Sequence, residues 1–373
     1  MEKLLSDANV ATVALPRTDR AVVIWLSVIV TMVFMMVLLG GLTRLTHAGL
    51  SMVEWQPLTG WLLPRTGAAW HDAFAAYRQF PEYQNLNVGM TLEEFKDIYM
   101  MEYTHRLWGR LIGIVFVLPL IFFVWRRRVN AAMGRLMILA FILGMLQAGM
   151  GWYMVMSGLA VDPDVSPYRL TAHLGLGTLI FCILVWALLR AARPRTRAYG
   201  THAGPMVLGW SIVVGVLIFT TILAGGFVAG LDAGYTYNTF PLMDGRLVPE
   251  GLGDLSPVYL NLFENIATVQ FEHRVLALST VIAVLTFWLS IGRRLLAPAA
   301  RRAVGWLLAM TLAQAGLGIA TLLLVVPVPL AVAHQGGAMV LIGCALWTVY
   351  ELCPSALGHG RIEEEASVSA TGT

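Results

Sequence analysis

Eight long apolar runs govern what this chain can become, at residues 21–42, 104–125, 134–156, 169–190, 205–229, 268–291, 303–326 and 329–351. Each can cross the ~30 Å hydrocarbon layer as a helix of about 20 residues. Lipid offers no partner for peptide N–H and C=O groups, so such a run must satisfy its backbone internally, as a helix. The last two runs are separated only by Pro327-Val328-Pro329. The fold class predicted is an all-α polytopic membrane protein with eight transmembrane helices. Composition agrees: 58% of residues are hydrophobic and 13% charged, about half the charged share of a soluble domain. A soluble chain this apolar would expose large sticky patches.

Positive charge sets the orientation. Arg17 and Arg20, Arg126–Arg128 with Arg135, Arg190 with Arg193, Arg195 and Arg197, and Arg293, Arg294, Arg301 and Arg302 mark the N-terminus and every second connection. That side is expected to be cytoplasmic, with both termini inside. The opposite side carries loops at about 43–103 and 230–267 and the acidic Asp162-Pro163-Asp164 turn. Residues 1–20 mix acids and bases, unlike a transit peptide. The first run is too long for a signal-peptide core and reads as an uncleaved helix, which points to a bacterial cytoplasmic (inner) membrane. The three cysteines, Cys182, Cys344 and Cys353, form no CxxC and read as structural thiols.

The chain repeats itself. Gly40-Gly41 returns as Gly225-Gly226, and Glu102-Tyr-Thr-His105-Arg106 as Gln270-Phe-Glu-His273-Arg274. Gln147-Ala-Gly-Met-Gly151 returns as Gln314-Ala-Gly-Leu-Gly318, and Ala172-His173 as Ala333-His334. The offsets are 185, 168, 167 and 161, in unchanged order. Four spans per copy give both copies one orientation, so the pseudo-twofold axis should lie along the membrane normal. The expectation is two tandem pseudo-twofold-related four-helix bundles: a cytoplasmic segment 1–20, a first repeat 21–195, a second repeat 204–352 and a cytoplasmic tail 353–373.

Eight histidines are present. His47, His71, His202 and His359 fall in loops or the tail, where ordinary exposure explains them. His105, His173, His273 and His334 fall near the outer ends of the even-numbered spans, and ionisable groups inside a membrane are usually functional. In an up-and-down bundle, alternate helices face each other diagonally across the core. Each repeat then offers two opposed imidazoles at similar depth. Such a pair can ligate a planar metallocycle, with heme the expected guest. A closed zinc site would need four converging ligands. Plain interhelical hydrogen bonding is the competing reading, and four repeat-equivalent positions argue against it.

The repeats differ at one place. Glu102 lies one helical turn before His105, on the same face, and its counterpart is Gln270. Only the first repeat has a carboxyl one helical turn outward from its histidine, which points to chemistry there and electron transfer in the second. The alternative is an ordinary ion pair of Glu102 with Arg106. Glu272, adjacent to His273, faces elsewhere and reads as interfacial. Arg106 and Arg274 are candidates for heme propionate contacts or for interfacial anchoring; Arg44 and Arg169 are weaker candidates. Thr91-Leu-Glu-Glu94 reads as a capping box that starts a helix in the first outer loop. Trp55, Trp61, Trp70, Tyr99 and Tyr103 read as an interfacial belt.

Taken together, the motifs resemble the heme A synthase family. The likeness rests on Gly40-Gly-Leu-Thr-Arg-Leu-Thr-His-Ala-Gly-Leu-Ser-Met-Val-Glu-Trp-Gln-Pro57 and Glu102-Tyr-Thr-His-Arg106. It continues through Thr171-Ala-His173, Gly225-Gly-Phe-Val-Ala-Gly-Leu-Asp-Ala-Gly234, Asn238-Thr-Phe-Pro-Leu-Met243, Glu272-His-Arg274 and Ala333-His334, covering about 25–350. The resemblance implies an oxidoreductase acting on a CH group. It would convert a porphyrin methyl of heme O to a formyl group with water as oxygen source, giving heme A for cytochrome c oxidase. It further implies Glu102 as the catalytic glutamate, His105 and His173 as ligands of the substrate heme, and His273 and His334 as ligands of a heme b cofactor. Expected partners are heme O, heme O synthase and a membrane electron acceptor such as a quinone, with a homo-oligomer left open and no nucleic acid. Some family members carry paired outer-loop cysteines; this chain has none there, like the alphaproteobacterial and mitochondrial subgroup. Two other functions fit the spans: a diheme b-type membrane electron-transfer protein, and a transporter with parallel repeats. Glu102 opposite Gln270 would have no purpose in the first. The nearly apolar mid-spans disfavour the second.

Overall fold

A computed structural model describes residues 19–56, 60–160, 163–192, 204–291 and 297–353. Among these, every regular element is helical, apart from one isolated bridge between Met243 and Arg246. Eight helices are long and apolar enough to cross a membrane: α1 (Arg20–Leu45), α4 (Leu92–Trp125), α5 (Ala131–Gly158), α6 (Pro167–Ala192), α7 (Pro205–Gly230), α9 (Ile266–Ile291), α10 (Pro298–Leu323) and α11 (Val328–Leu352). Short helices α2 (Gly67–Tyr77) and α3 (Pro81–Asn85) lie in the first long loop, and α8 (Asn261–Glu264) in the second. Of the arginines used for orientation, Arg17, Arg193, Arg195, Arg197, Arg293 and Arg294 lie outside the described residues, as do Asp162, His202 and His359.

Helix ends repeat with the sequence. α1 and α7 end 185 residues apart, at Leu45 and Gly230, and each is followed by a left-handed residue, His47 (φ 50) and Asp232 (φ 52). α6 and α11 start 161 apart, at Pro167 and Val328, and α5 and α10 start 167 apart, at Ala131 and Pro298. Helix packing follows the same order. In the first set α1 packs on α4 and α6, and α6 packs on α5; in the second α7 packs on α9 and α11, and α10 packs on both α9 and α11. The sets meet where α6 packs on α7, α1 on α11, and α6 on α11. Glycine allows the closest of these approaches. A Cβ on Gly226 would fall 2.9 Å from Thr171 Oγ1, and one on Gly41 would overlap the Gln335 carboxamide, which itself donates to the Val37 carbonyl (3.0 Å).

Two local expectations change. The capping box at Thr91 is present: the Thr91 hydroxyl accepts from the Glu94 N–H (3.3 Å) and Glu94 accepts from the Thr91 N–H (2.8 Å). It starts no separate loop helix. The helix it begins runs unbroken into the second span, because Leu92 to Thr104 contains neither proline nor glycine. Its 34 residues make it ~50 Å long at ~1.5 Å per residue, well over the ~30 Å of a bilayer core. The outer aromatic residues also do more than form a belt. Tyr77 and Phe95 are fully buried, and Phe74, Tyr83, Trp70 and Tyr99 pack around them in ring contacts of 5.0–5.9 Å. They form the small core of a cap built from α2, α3 and the outer end of α4.

Candidate functional site

The site grows from α4. Glu102 and His105 lie one turn apart, at the level where α4 leaves the apolar layer. The Glu102 side chain is 2% exposed, so each carboxylate oxygen must find partners within the protein. Oε2 accepts from the Ser51 hydroxyl (2.7 Å) and the Met52 N–H (2.7 Å). Oε1 accepts from Arg106 Nε at 3.0 Å and from its Nη2. Every partner is a donor, so both carboxylate oxygens are satisfied within the protein. Arg106 also donates to the carbonyls of Glu54 (2.8 Å) and Met52 (2.7 Å), tying the loop down over the site.

The second set answers this with opposite polarity. Gln270, also 2% exposed, donates from Nε2 to the carbonyls of Ala233 and Thr236, both at 2.8 Å. Its Oε1 accepts from Arg274 Nη2 at 3.2 Å, and Arg274 further donates to Tyr237 O (2.6 Å) and Thr239 O (2.8 Å). The loop over the first pair thus presents donors to an acceptor-only side chain. The loop over the second presents acceptors to an amide.

Each helix set holds two of the four histidines, on α4 and α6 in the first and on α9 and α11 in the second. His105 interacts electrostatically with His173, and His273 with His334. Each ring sits where a neighbouring helix has glycine. A Cβ would come within 3.3 Å of His105 at Gly40, 3.0 Å of His173 at Gly151, 3.1 Å of His273 at Gly225 and 2.8 Å of His334 at Gly318. Glutamines fix two of the rings. Gln147 donates to the His173 carbonyl (3.0 Å) and lies 3.3 Å from its Nε2, while Gln314 donates to the His334 carbonyl (2.8 Å) and lies 3.1 Å from its Nδ1. The Nδ1 atoms of His173 and His273 are buried with no hydrogen-bond partner. Among the described residues no cluster of three or more His, Cys, Asp or Glu could hold a bare metal ion. Paired imidazoles with unpartnered buried nitrogens suit a porphyrin, which brings its own equatorial nitrogens and needs only axial ligands.

Other expected residues take structural roles. Arg44 pairs with Asp232 at 2.8 Å, joining the end of α1 to the end of α7. Arg169 donates to the Tyr153 carbonyl (2.7 Å) and lies over its ring. Glu272 is clear of the Gln270–Arg274 bonds. His47 occupies the turn after α1, and His71 lies on α2. Cys182, Cys344 and Cys353 are free thiols. Sequence reasoning passed over Ser51 and the Met52 N–H, and gave no histidine contact to Gln147, Gln314 or the four ring-facing glycines. The signal was present for most of them: the two glutamines, Gly40 with Gly225, and Gly151 with Gly318 are all members of the repeated motifs.

Comparison with known proteins follows the same residues. The cytochrome oxidase assembly protein family matches positions 23–346. A heme A synthase of Nitrosospira multiformis is 48% identical over 335 residues, 90% of this chain and 94% of its own length. One of Parvibaculum lavamentivorans is 47% identical over 345 residues (91% and 97%). One of Paramagnetospirillum magneticum is 49% identical over 340 residues (89% and 94%).

Proposed function

This chain belongs to the cytochrome oxidase assembly protein family, and on that footing we propose that it is a heme A synthase. It oxidises a porphyrin methyl group of heme O to a formyl group, with water as the oxygen source. The observation that carries this reading is the one carboxylate found in only one of two matched histidine pairs, buried and held by donors on both oxygens. A diheme electron-transfer protein would have no use for that difference.

In this reading residues 21–195 form the substrate half and residues 204–352 the cofactor half. His105 and His173 hold the iron of heme O, and His273 and His334 hold heme b. Heme b, held there, would supply one-electron redox chemistry, with a membrane acceptor such as a quinone taking the electrons. Glu102 takes up protons released as the methyl carbon loses C–H hydrogens and electrons, the electrons going to the membrane acceptor, and bonds the oxygen of water, general-base work for which a fixed carboxylate is suited. Ser51 Oγ and Met52 N–H orient Oε2, and Arg106 orients Oε1. Gln147 and Gln314 set the rotation of His173 and His334, as partners behind a ligand commonly do. Arg106 and Arg274 are the candidate propionate contacts; each already donates to loop carbonyls, so a propionate would share them with the loops. Heme O synthase is the natural donor of substrate. The arginine-rich ends face the cytoplasm, in a bacterial inner membrane.

The test is pigment extraction from cells that make heme O. The parent should accumulate heme A. Glu102→Gln should keep both hemes bound and yield none, a fall of ~100-fold or more at the scale of a lost general base. A parent that leaves heme O untouched would return the diheme electron-transfer reading.

A further inference from the structure

The two helix sets differ in one seam. In the second, α9 and α10 pack together and close the ring of four helices; in the first, the corresponding α4 and α5 make at most marginal contact beyond the turn that joins them. At the outer end of this seam lies a cavity of about 230 Å³, lined by Met52, Trp55, Arg106, Trp152, Val155 and Met156 among others. It therefore has the loop over Glu102 on one side, α4 on a second and α5 on a third. Trp55 of the loop stacks on Trp152 of α5, ring centroids 4.9 Å apart, across its mouth. Both indoles are more than one-third exposed.

Below the cavity the walls are cut back. Gly113 lies two turns from Arg106 on the same face of α4, and Gly144 lies three turns from Val155 on the same face of α5. A Cβ at either glycine would meet nothing within 4 Å. The repeat-equivalent positions carry Val281 and Thr311, and Thr311 is buried in the packed second set. Substitution and packing thus change together, at the one seam that differs. The seam also leads to the site, since Arg106 follows His105, and Gly151 on α5 abuts the His173 ring.

We propose that the α4–α5 seam is the lateral slot through which heme O passes between the lipid and the His105/His173 pair, with the Trp55–Trp152 stack as its outer latch. This rests on the first pair taking heme O. The chemistry of the occupant matches the walls. Heme O is a flat porphyrin with a long isoprenoid tail, so it resides in the bilayer, and an apolar slot spares the tail a passage through water. A cofactor bound for the life of the protein needs no such slot, and the second set has none.

The test uses the full-length protein with its resident heme, in lipid nanodiscs, mixed with vesicles loaded with heme O. The Soret band reports uptake, and extraction reports conversion. The double variant Gly113→Val/Gly144→Thr gives the first seam the side chains of the second. Side chains standing in the slot should slow heme O uptake ~10-fold, a rise of about 1.4 kcal/mol in the barrier, with resident heme content and melting temperature unchanged. Trp55→Ala, which opens the latch, should speed both uptake and product release, and it decides the matter if the double variant loses its resident heme. Parent-like uptake in the double variant with its resident heme intact, or in Trp55→Ala, would overturn the slot. A parent that takes up heme O without converting it would instead overturn the proposed reaction and leave the slot standing.

Discussion

At the level of single residues, Glu102 and Gln270 show how one atom's difference is enforced by its surroundings. Gln270→Glu would place an acceptor-only carboxylate against the carbonyls of Ala233 and Thr236. Leaving such groups unpaired costs about 1–3 kcal/mol each, more when charged, so this variant should melt earlier and retain less heme, read by scanning calorimetry and Soret absorbance. Ser51→Ala removes one donor from Glu102 and leaves the backbone donor of Met52. With a hydrogen bond to a charged group worth about 1.5–3 kcal/mol, turnover should fall ~10-fold while heme occupancy stays at the parent level. Gly318→Ala would put a methyl 2.8 Å from the His334 ring, and the resident heme should be lost or its spectrum altered, whereas Gly316→Ala, where a Cβ meets nothing within 4 Å, should be silent. The histidines and Glu102 were legible in the sequence because charge inside an apolar run stands out. Ser51 was not, since a serine in a polar loop carries no signal until folding brings it 2.7 Å from Glu102.

At the level of elements, the outer cap contains a titratable switch in its stability. Burial pushes the Glu82 carboxyl up to about 7, with the charge of Glu102 adding to the rise and a bond from Tyr77 opposing it. An acid whose folded pKa lies above its unfolded value binds more protons when folded. Its contribution is therefore fully present below the unfolded value, near 4.5, and is lost as pH rises through about 7. Amide exchange in α2 and α3 should quicken across that window, and Glu82→Gln should flatten the dependence. Span existence was readable from apolar length alone, and the boundaries of α1 and α7 differ from expectation by a few residues at most. The continuity of α4 was harder to read, because hydropathy marks where lipid begins and says nothing about a helix that continues into water. The open α4–α5 seam was harder still. Consecutive helices of a bundle are ordinarily neighbours, and nothing in the sequence marks Gly113 and Gly144 as lining open space.

At the level of the whole molecule, some of the closest contacts between the two sets depend on glycine. Gly226 lets α7 approach Thr171 of α6, and Gly41 lets α1 approach Gln335 of α11. Gly226→Leu should wedge α6 from α7. In the proposed function each half would keep its heme while transfer between them slows, so turnover should drop more than heme content. A parallel loss of both would mean that the halves fold as one unit. The duplication itself was readable from four ordered motifs. How the copies meet was not: Gly41 and Gly226 are repeat-equivalent, but their partners Gln335 and Thr171 are uncharged and fall at different places in the two repeats.

The matched helix ends, 185, 167 and 161 residues apart, carry a historical consequence. The α6–α7 and α1–α11 contacts are the same surface used twice, the isologous geometry of a symmetric homodimer. An ancestor of one four-helix unit could then have paired with itself, holding two equal hemes, before fusion freed one copy to gain a carboxylate and the other to keep an amide. The linker between Ala192 and Gly204 would be a relic of that fusion. Two polypeptides divided there and made in one cell should reassemble into an active protein.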